Sequence, residues 1–181
     1  MDAKIRAWIH EIHAYNKRLH LVSTAMEKTL ASQVQDTMDL LKDISEPLIC
    51  DLGAGSGFLG IPYKIMNPDY EVHLVERSMK KCIFLRHVID QLGLKAIEVH
   101  DADPLKKVVG PFPAVMARSF SPRESLAQAV LSLLEQGGRF YSFSTGTPER
   151  ITDPGLKEEL LRSRECLGYT LNLDVYAATS P

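Results

Sequence analysis

The sequence predicts an α/β fold: a mainly parallel sheet with helices on both faces, fronted by a helical N-terminal cap. Three observations predict it. From residue 48 onward, short β-rich runs alternate with helical runs, the pattern of strands joined by crossover helices. The first 45 residues carry helical periodicity and no strand. The first strand runs into DLGAGSGFLG, residues 51–60, which hold four glycines behind an aspartate. Such a turn lets a ligand approach bare backbone.

The elements follow in order. Ile5, Trp8, Ile9, Ile12, Tyr15 and Leu19 are spaced for one face of a first helix over 4–19. Leu30, Val34, Met38 and Leu41 line a second over 24–43, ended by SEPL, since proline disfavours helix continuation. LICDLG is a short strand, and GFLGIPYKIM a helix closed by Asn67-Pro68. EVHLVER alternates as a strand. The helix of 78–94 takes Ser78 as its cap and Gly93 as its stop. AIEVHDAD and AVMARSF are strands three and four. PRESLAQAVLSLLEQGG is a helix with proline near its start and glycines at its end. RFYSFST is the fifth strand, LKEELLRSRECLG a helix and YTLNLDVYAA the sixth and last strand.

A chain of 181 residues suits one domain, read here as 1–181, with the cap over 1–45 and the core over 46–181. A hydrophobic fraction of 45% and a charged fraction of 24% belong to a soluble globular protein. The net charge of −2 gives no global basic field for nucleic acid, and leaves room for a local patch. Cys50, Cys82 and Cys166 are odd in number and widely spaced. They read as free thiols in a reducing cytosol, with no metal site expected. No signal peptide and no run near the roughly 20 apolar residues of a membrane span is visible, so a cytoplasmic protein is expected.

Two ligand classes compete for the glycine turn. A dinucleotide fingerprint G-x-G-x-x-G fails from Gly53, where Phe58 takes the third glycine's place. It is satisfied from Gly55 through Gly57 to Gly60, but that frame leaves Asp51 and Gly53 outside. The form D-x-G-x-G-x-G, Asp51 to Gly57, suits S-adenosylmethionine (SAM), whose methionine part passes close to the glycine backbone while the acid braces the turn. Glu76 closes the second strand, where an acid accepts ribose hydroxyls in either class. Asp103, after the third strand, is placed for an adenine amino group or as a cap before Pro104. Arg118, ending the fourth strand, is suited to a carboxylate or phosphate, or to a structural ion pair.

Five segments in order, YNKRLHLVS, DLGAGSGFLGIP, KKCIFLRHVIDQLGL, ARSF and GGRFYSF, resemble the bacterial ribosomal RNA small-subunit methyltransferase G family, also called the glucose-inhibited division protein B family. The resemblance runs from about Trp8 to about Glu149. It implies a Rossmann-like SAM-dependent methyltransferase fold, methylation of guanine N7 in 16S rRNA, and 16S rRNA or the small ribosomal subunit as partner, with no obligate protein partner evident. By position it implies SAM contacts at Gly53, Phe58, Ala102, Asp103 and Arg118. Gly55, Gly57 and Glu76 follow from the general SAM fold. Several positions depart from the family: the second helix reads LASQVQDTMDLL without its usual basic residue and histidine, Pro113-Ala114 replaces Asp after Phe112, Ser119 replaces alanine, and Ser144-Thr145-Gly146 replaces a lysine-glycine pair. The seventh strand of the fold is expected to be missing.

Guanine N7 has a free lone pair and no proton, so no general base is needed and no catalytic residue is assigned. His10, His13, His20, His73, His87 and His100 read as surface or core residues. The Asn/Asp-Pro-Pro-aromatic stretch of adenine methylation and a late-loop cysteine for cytosine C5 are both absent. RNA phosphates are expected at Lys17 and Arg18, beside Lys4 and Arg6, at Lys80 and Lys81, near Arg86, and at Arg123. Solvated helix faces explain the same charges. The alternatives are a degenerate SAM- or RNA-binding protein without transfer, a methyltransferase with another acceptor, and a NAD-dependent oxidoreductase.

Overall fold

The computed structural model describes residues 1–107, 109–118, 125–147 and 150–179. Helices α1 (Ala3–Leu19), α2 (Thr24–Lys28) and α3 (Leu30–Leu41) precede β1 (Leu48–Leu52). Then come α4 (Gly60–Met66), β2 (Glu71–Glu76), α5 (Met79–Gln91), β3 (Ile97–Asp101), β4 (Phe112–Arg118), α6 (Leu126–Leu131), β5 (Leu134–Thr145), β6 (Leu156–Cys166) and β7 (Tyr169–Ala178). The strands form one seven-stranded sheet in the order β3-β2-β1-β4-β5-β7-β6. The pairs from β3 through β5 are parallel, and β7 runs antiparallel to both β5 and β6. Strand order reverses beside β1, so the crevice at its carboxyl end is where a doubly wound sheet binds ligands.

The seventh strand is therefore present, and this corrects the expectation that it was missing. The segment read as a helix, 156–168, is β6 and the turn that follows it. Leu156, Leu160 and Leu161 fall at helical spacing, and a register shift between Glu158 and Leu160 interrupts the alternation that marks a strand. β6 is an edge strand, fixed by backbone pairing with β7, with Lys157, Glu159, Arg162 and Arg164 turned to solvent or to ion pairs. Exposed charge is how edge strands avoid pairing further. The expected sixth strand is β7, the antiparallel one.

Other boundaries shift for local reasons. The second helix breaks at Thr29 (φ −121°) into α2 and α3. Of the helix expected over 122–138, residues 122–124 lie outside the described residues, and α6 keeps six residues. The rest joins β5, where Phe112 pairs with Leu134 and Ala114 with Arg139, so that 135–138 bulge out of the ladder with Gly137 at φ 73°. α5 begins after Ser78, whose side chain makes no capping bond, and stops at Gly93 (φ 58°) as expected.

Two cores flank the sheet. One joins Ile5, Trp8 and Ile12 of α1 and Leu30, Val34 and Leu41 of α3 to Ile61, Leu74, Phe84, Leu85, Met116 and Phe143. The cap helices thus share a core with the sheet. The other gathers Cys50, Leu52, Val75, Val115, Phe140 and Tyr176 under α6. Salt bridges of Arg164 with Asp36 and Asp39, of Arg162 with Asp43, and a hydrogen bond from Tyr169 Oη to Asp36 fasten the β6–β7 hairpin to α3 and the residues after it.

Candidate functional site

The site begins where β1 ends. Gly53, Gly55 and Gly57 have φ of 71°, 58° and 79°, a region that side-chain-bearing residues enter at a cost of about 1–2 kcal/mol each. The turn is anchored to β2 by two hydrogen bonds, from Gly53 N–H and Ala54 N–H to the Val75 carbonyl, at 2.8 and 3.1 Å. α4 starts at Gly60 rather than Gly57, so the turn is longer than expected. A Cβ on Gly57 would lie 2.4 Å from Ile61 Cγ1, and one on Gly60 would lie 2.3 Å from Leu74 Cδ2 and 3.0 Å from Asp51 Oδ2. Bare backbone thus lets the turn pack under Ile61 at Gly57 and lets α4 pack on the sheet at Gly60.

Two acids hold this turn from opposite sides. Asp51, buried, accepts the Gly60 N–H at Oδ2 (2.8 Å). Burial pushes its carboxyl up to about 7, against the pull of that N–H, and the charge of Glu76 adds to the rise. Glu76 accepts the Gly55 N–H at Oε2 (2.9 Å) and the Ser78 N–H at Oε1 (2.8 Å). A carboxylate offers about four acceptor positions, so two remain for a ligand's hydroxyls.

The cap closes over the turn. Trp8 Nε1–H donates to the Ser56 carbonyl (2.9 Å), and its ring lies 6.1 Å from that of Phe58. Asn16 fixes the link between α1 and α2. Its Oδ1 accepts the Val22 N–H and its Nδ2 donates to Glu27, both at 2.9 Å. Leu21, Val22 and Met26 then face Asp51, Gly53, Gly55, Phe58, Lys81 and Arg118 around an open cavity of ≈ 200 Å³.

Arg118 is the cation of this cavity. Its guanidinium carbon stands 4.1 Å over the Phe58 ring, and Nη2 donates to Gln33 Oε1 (3.1 Å). Nη1 is out of solvent and has no hydrogen-bond partner among the described residues. Burial pushes its pKa down to about 10, still well above neutral, so the charge is kept. No carboxylate among the described residues pairs with it. An unfilled guanidinium donor beside a glycine turn fits a carboxylate on the ligand.

The structure thus gathers Asp51, Gly53, Gly55, Gly57, Phe58, Glu76 and Arg118 at one crevice. Ala102 is buried next to it, its N–H bonded to the Glu76 carbonyl (3.1 Å). Asp103 forms a turn: Oδ1 accepts the Leu105 N–H (3.1 Å), and Oδ2 lies 3.5 Å from Lys106 Nζ. Lys17 and Arg18 are exposed at the end of α1, Lys80 is exposed on α5, and Lys81 lines the cavity. Arg123 lies outside the described residues. The sequence reading missed Gln33 and Trp8 as site residues. Trp8 carried a hint, being a core-facing residue with an N–H that burial obliges to find a partner.

Among the described residues no helix is long and apolar enough to cross a membrane.

Comparison with known proteins gives concordant results. Residues 1–151 match the family GidB, rRNA small subunit methyltransferase G. A ribosomal RNA small subunit methyltransferase G of Geobacillus thermodenitrificans is 37% identical over 118 residues, covering 61% of this chain and 50% of that protein. The protein of that name from Pelotomaculum thermopropionicum is 31% identical over 167 residues, covering 84% of this chain and 64% of that one. The chain spans about half to two thirds of the length of the curated relatives it matches. Among solved structures, TrmN from Thermus thermophilus superposes with a TM-score of 0.61 at 18% identity, covering 80% of this chain and 48% of that one. A SAM dependent methyltransferase from Aquifex aeolicus gives 0.61 at 16% identity, covering 80% and 90%. At such identities these two speak for the fold.

Proposed function

The chain belongs to the rRNA small subunit methyltransferase G family, and on that premise we propose that it binds SAM at the glycine turn and transfers its methyl group to N7 of a guanine in 16S rRNA. The observation that carries the cofactor reading is Arg118, which lines the same cavity as Gly53 and Gly55 and whose Nη1, out of solvent, has no hydrogen-bond partner among the described residues. The turn's bare backbone and the two acceptor positions left on Glu76 support it further.

When bound, SAM supplies an electrophilic methyl carbon on a sulfonium sulfur. Arg118 would hold the carboxylate of the methionine part. Gly53 and Gly55 would let that part pass against the backbone, Glu76 would accept the ribose hydroxyls, and Ala102 and Asp103 would border the adenine. Asp51 holds the turn through Gly60 and needs no contact of its own. The guanine nucleophile carries no proton at N7, so the chain's task is alignment, a proximity effect worth on the order of 7–11 kcal/mol at best. A target guanine in a single-stranded or unstacked region suits this, because A-form RNA hides N7 in a deep groove. Lys17, Arg18, Lys80, Lys81 and Arg123 would take the phosphates, and the protein would act in the cytoplasm with the small subunit or its RNA.

The deciding experiment is transfer of a labelled methyl from SAM to 16S rRNA and to small subunits lacking the modification, with the labelled base identified. Label at guanine N7 is the expected result. SAM binding with no label on either substrate would overturn the transfer reading and leave a binding protein or another acceptor.

A further inference from the structure

A second group of chemically capable side chains sits away from the glycine turn, on the sheet edge formed by β2 and β3. Strands run parallel there with His73 beside Glu98 and Val75 beside His100. Glu71, His73, Glu98 and His100 therefore share one face. The two imidazoles stack with centroids 5.0 Å apart and planes 16° apart, and Phe112 walls His73 at 4.9 Å. His73 Nδ1 and His100 Nε2 converge to 2.7 Å, while His73 Nε2 lies 2.9 Å from Glu71 Oε1. One donor atom each from His73, Glu98 and His100 falls within 4.8 Å of the other two.

We propose that His73, His100 and Glu98 form a binding site for one divalent transition-metal ion of the zinc type, with Glu71 as the outer carboxylate that orients His73. Glu71 accepts from His73 Nε2, so that nitrogen carries the hydrogen and Nδ1 presents a bare lone pair. The facing His100 Nε2 must then donate across the 2.7 Å gap. A cation can replace that shared hydrogen if His100 moves its proton to Nδ1 and the exposed Glu98 carboxylate, 3.9 Å from that nitrogen, turns onto the ion. A carboxylate bonded to the far nitrogen of a ligand histidine, as Glu71 is to His73, is the usual outer support of such sites.

Donor set and exposure agree with this assignment. Two imidazole nitrogens and one carboxylate suit zinc, copper or nickel rather than calcium or magnesium. The imidazoles are recessed, at 13% and 21% exposure, and the carboxylates of Glu71 and Glu98 stand at the rim, at 57% and 67%. The rim acids can swing in without moving the sheet, and water can complete the coordination. Zinc–nitrogen bonds of about 2.0–2.1 Å at a tetrahedral angle separate two ligand nitrogens by roughly 3.3 Å. The pair has to part by about 0.6 Å, within the reach of two side-chain rotations. Arg86 and Lys107 act on His100 with like charge. Arg86 is held by the Val99 carbonyl (3.1 Å), and the two carboxylates balance the two cations. The site escaped the sequence reading because its ligands come from neighbouring strands, so that no short motif spacing marks them.

The test is titration of the metal-stripped full chain with Zn²⁺ by calorimetry, alongside E98Q, E71Q and H100Q, with Co²⁺ as a spectroscopic substitute. The expected result is one ion per chain and weakening on the order of 10–100-fold in E71Q. E98Q should weaken binding at least as much, and H100Q should abolish it. Tetrahedral cobalt bands without thiolate charge transfer would exclude Cys50, Cys82 and Cys166 as the ligands. Glu71 and Glu98 are exposed, so their variants fold whatever becomes of H100Q. Unchanged affinity in E98Q and E71Q, thiolate bands with Co²⁺, or no uptake of Zn²⁺ would each overturn the proposal. None of these readouts depends on methyl transfer.

Discussion

Asp51 carries a charge where the fold opposes it. Its folded pKa of about 7 lies above the roughly 3.9 of an unfolded aspartate. Between those values the folded chain holds a proton that the unfolded chain has released. Stability therefore falls as pH rises from about 4 to about 7, and is unaffected by this group below about 4. In D51N the amide is neutral throughout and its oxygen still accepts from Gly60. Urea unfolding at pH 5 and pH 8 should show the wild type losing on the order of 3 kcal/mol relative to D51N over that interval. Gly60 makes the complementary case. A methyl there meets Leu74 and the Asp51 carboxylate, so G60A should cost about 1–3 kcal/mol through overpacking, measured by the same denaturation. Arg118 belongs at this scale too. R118Q removes the charge while leaving an amide to meet Gln33, and SAM affinity should fall about tenfold or more with the unfolding midpoint little changed. A loss of that size corresponds to one charge-assisted hydrogen bond.

At the scale of the element, what the sequence made legible depended on whether burial against the core imposed a periodicity on the segment. α1, β1, β2, α5 and β3 stand close to where their periodicity put them, because each buries one face or both against a continuous core. β6 does not. Its partner β7 lies across a turn at Leu167-Gly168, its backbone is fixed by pairing, and its bulge between Glu158 and Leu160 scrambles the alternation. The hydrophobic pattern then pointed to a helix. The same reasoning divides the site. The glycine turn, Glu76 and Arg118 were visible as residue types at strand ends. The bonds from Gly55 to Glu76, from Trp8 to Ser56 and from Arg118 to Gln33 join positions far apart in the chain, and no local pattern encodes them. Gly168, at φ 85° with nothing near its missing side chain, tests the hairpin in isolation. G168A should cost about 1–2 kcal/mol by backbone strain alone, seen as a lower unfolding midpoint with SAM binding unaltered.

For the molecule as a whole, a net charge of −2 means that any hold on RNA comes from patches rather than from an overall field. Lys17 and Arg18 close α1, while Lys80 and Lys81 open α5. If these cations take phosphates, log K for an RNA fragment should fall linearly with log salt. Each Lys→Gln change among them should then lower the slope by roughly 0.7–0.9. Fluorescence anisotropy across a salt series reads this directly, and an unchanged slope would assign those lysines to solvated helix faces.

The indole of Trp8 gives this patch a second significance. α1 displays Lys17 and Arg18 outward and, on its inner side, holds the carbonyl of Ser56 in the middle of the glycine turn. One helix thus touches both the surface proposed to meet RNA and the backbone that would cradle the cofactor. Any ligand that prefers one posture of that helix changes how well the turn receives the other, and thermodynamic reciprocity requires the influence to run back by the same factor. If RNA and SAM bind where proposed, the tryptophan is the contact through which each would set the grip on the other at equilibrium.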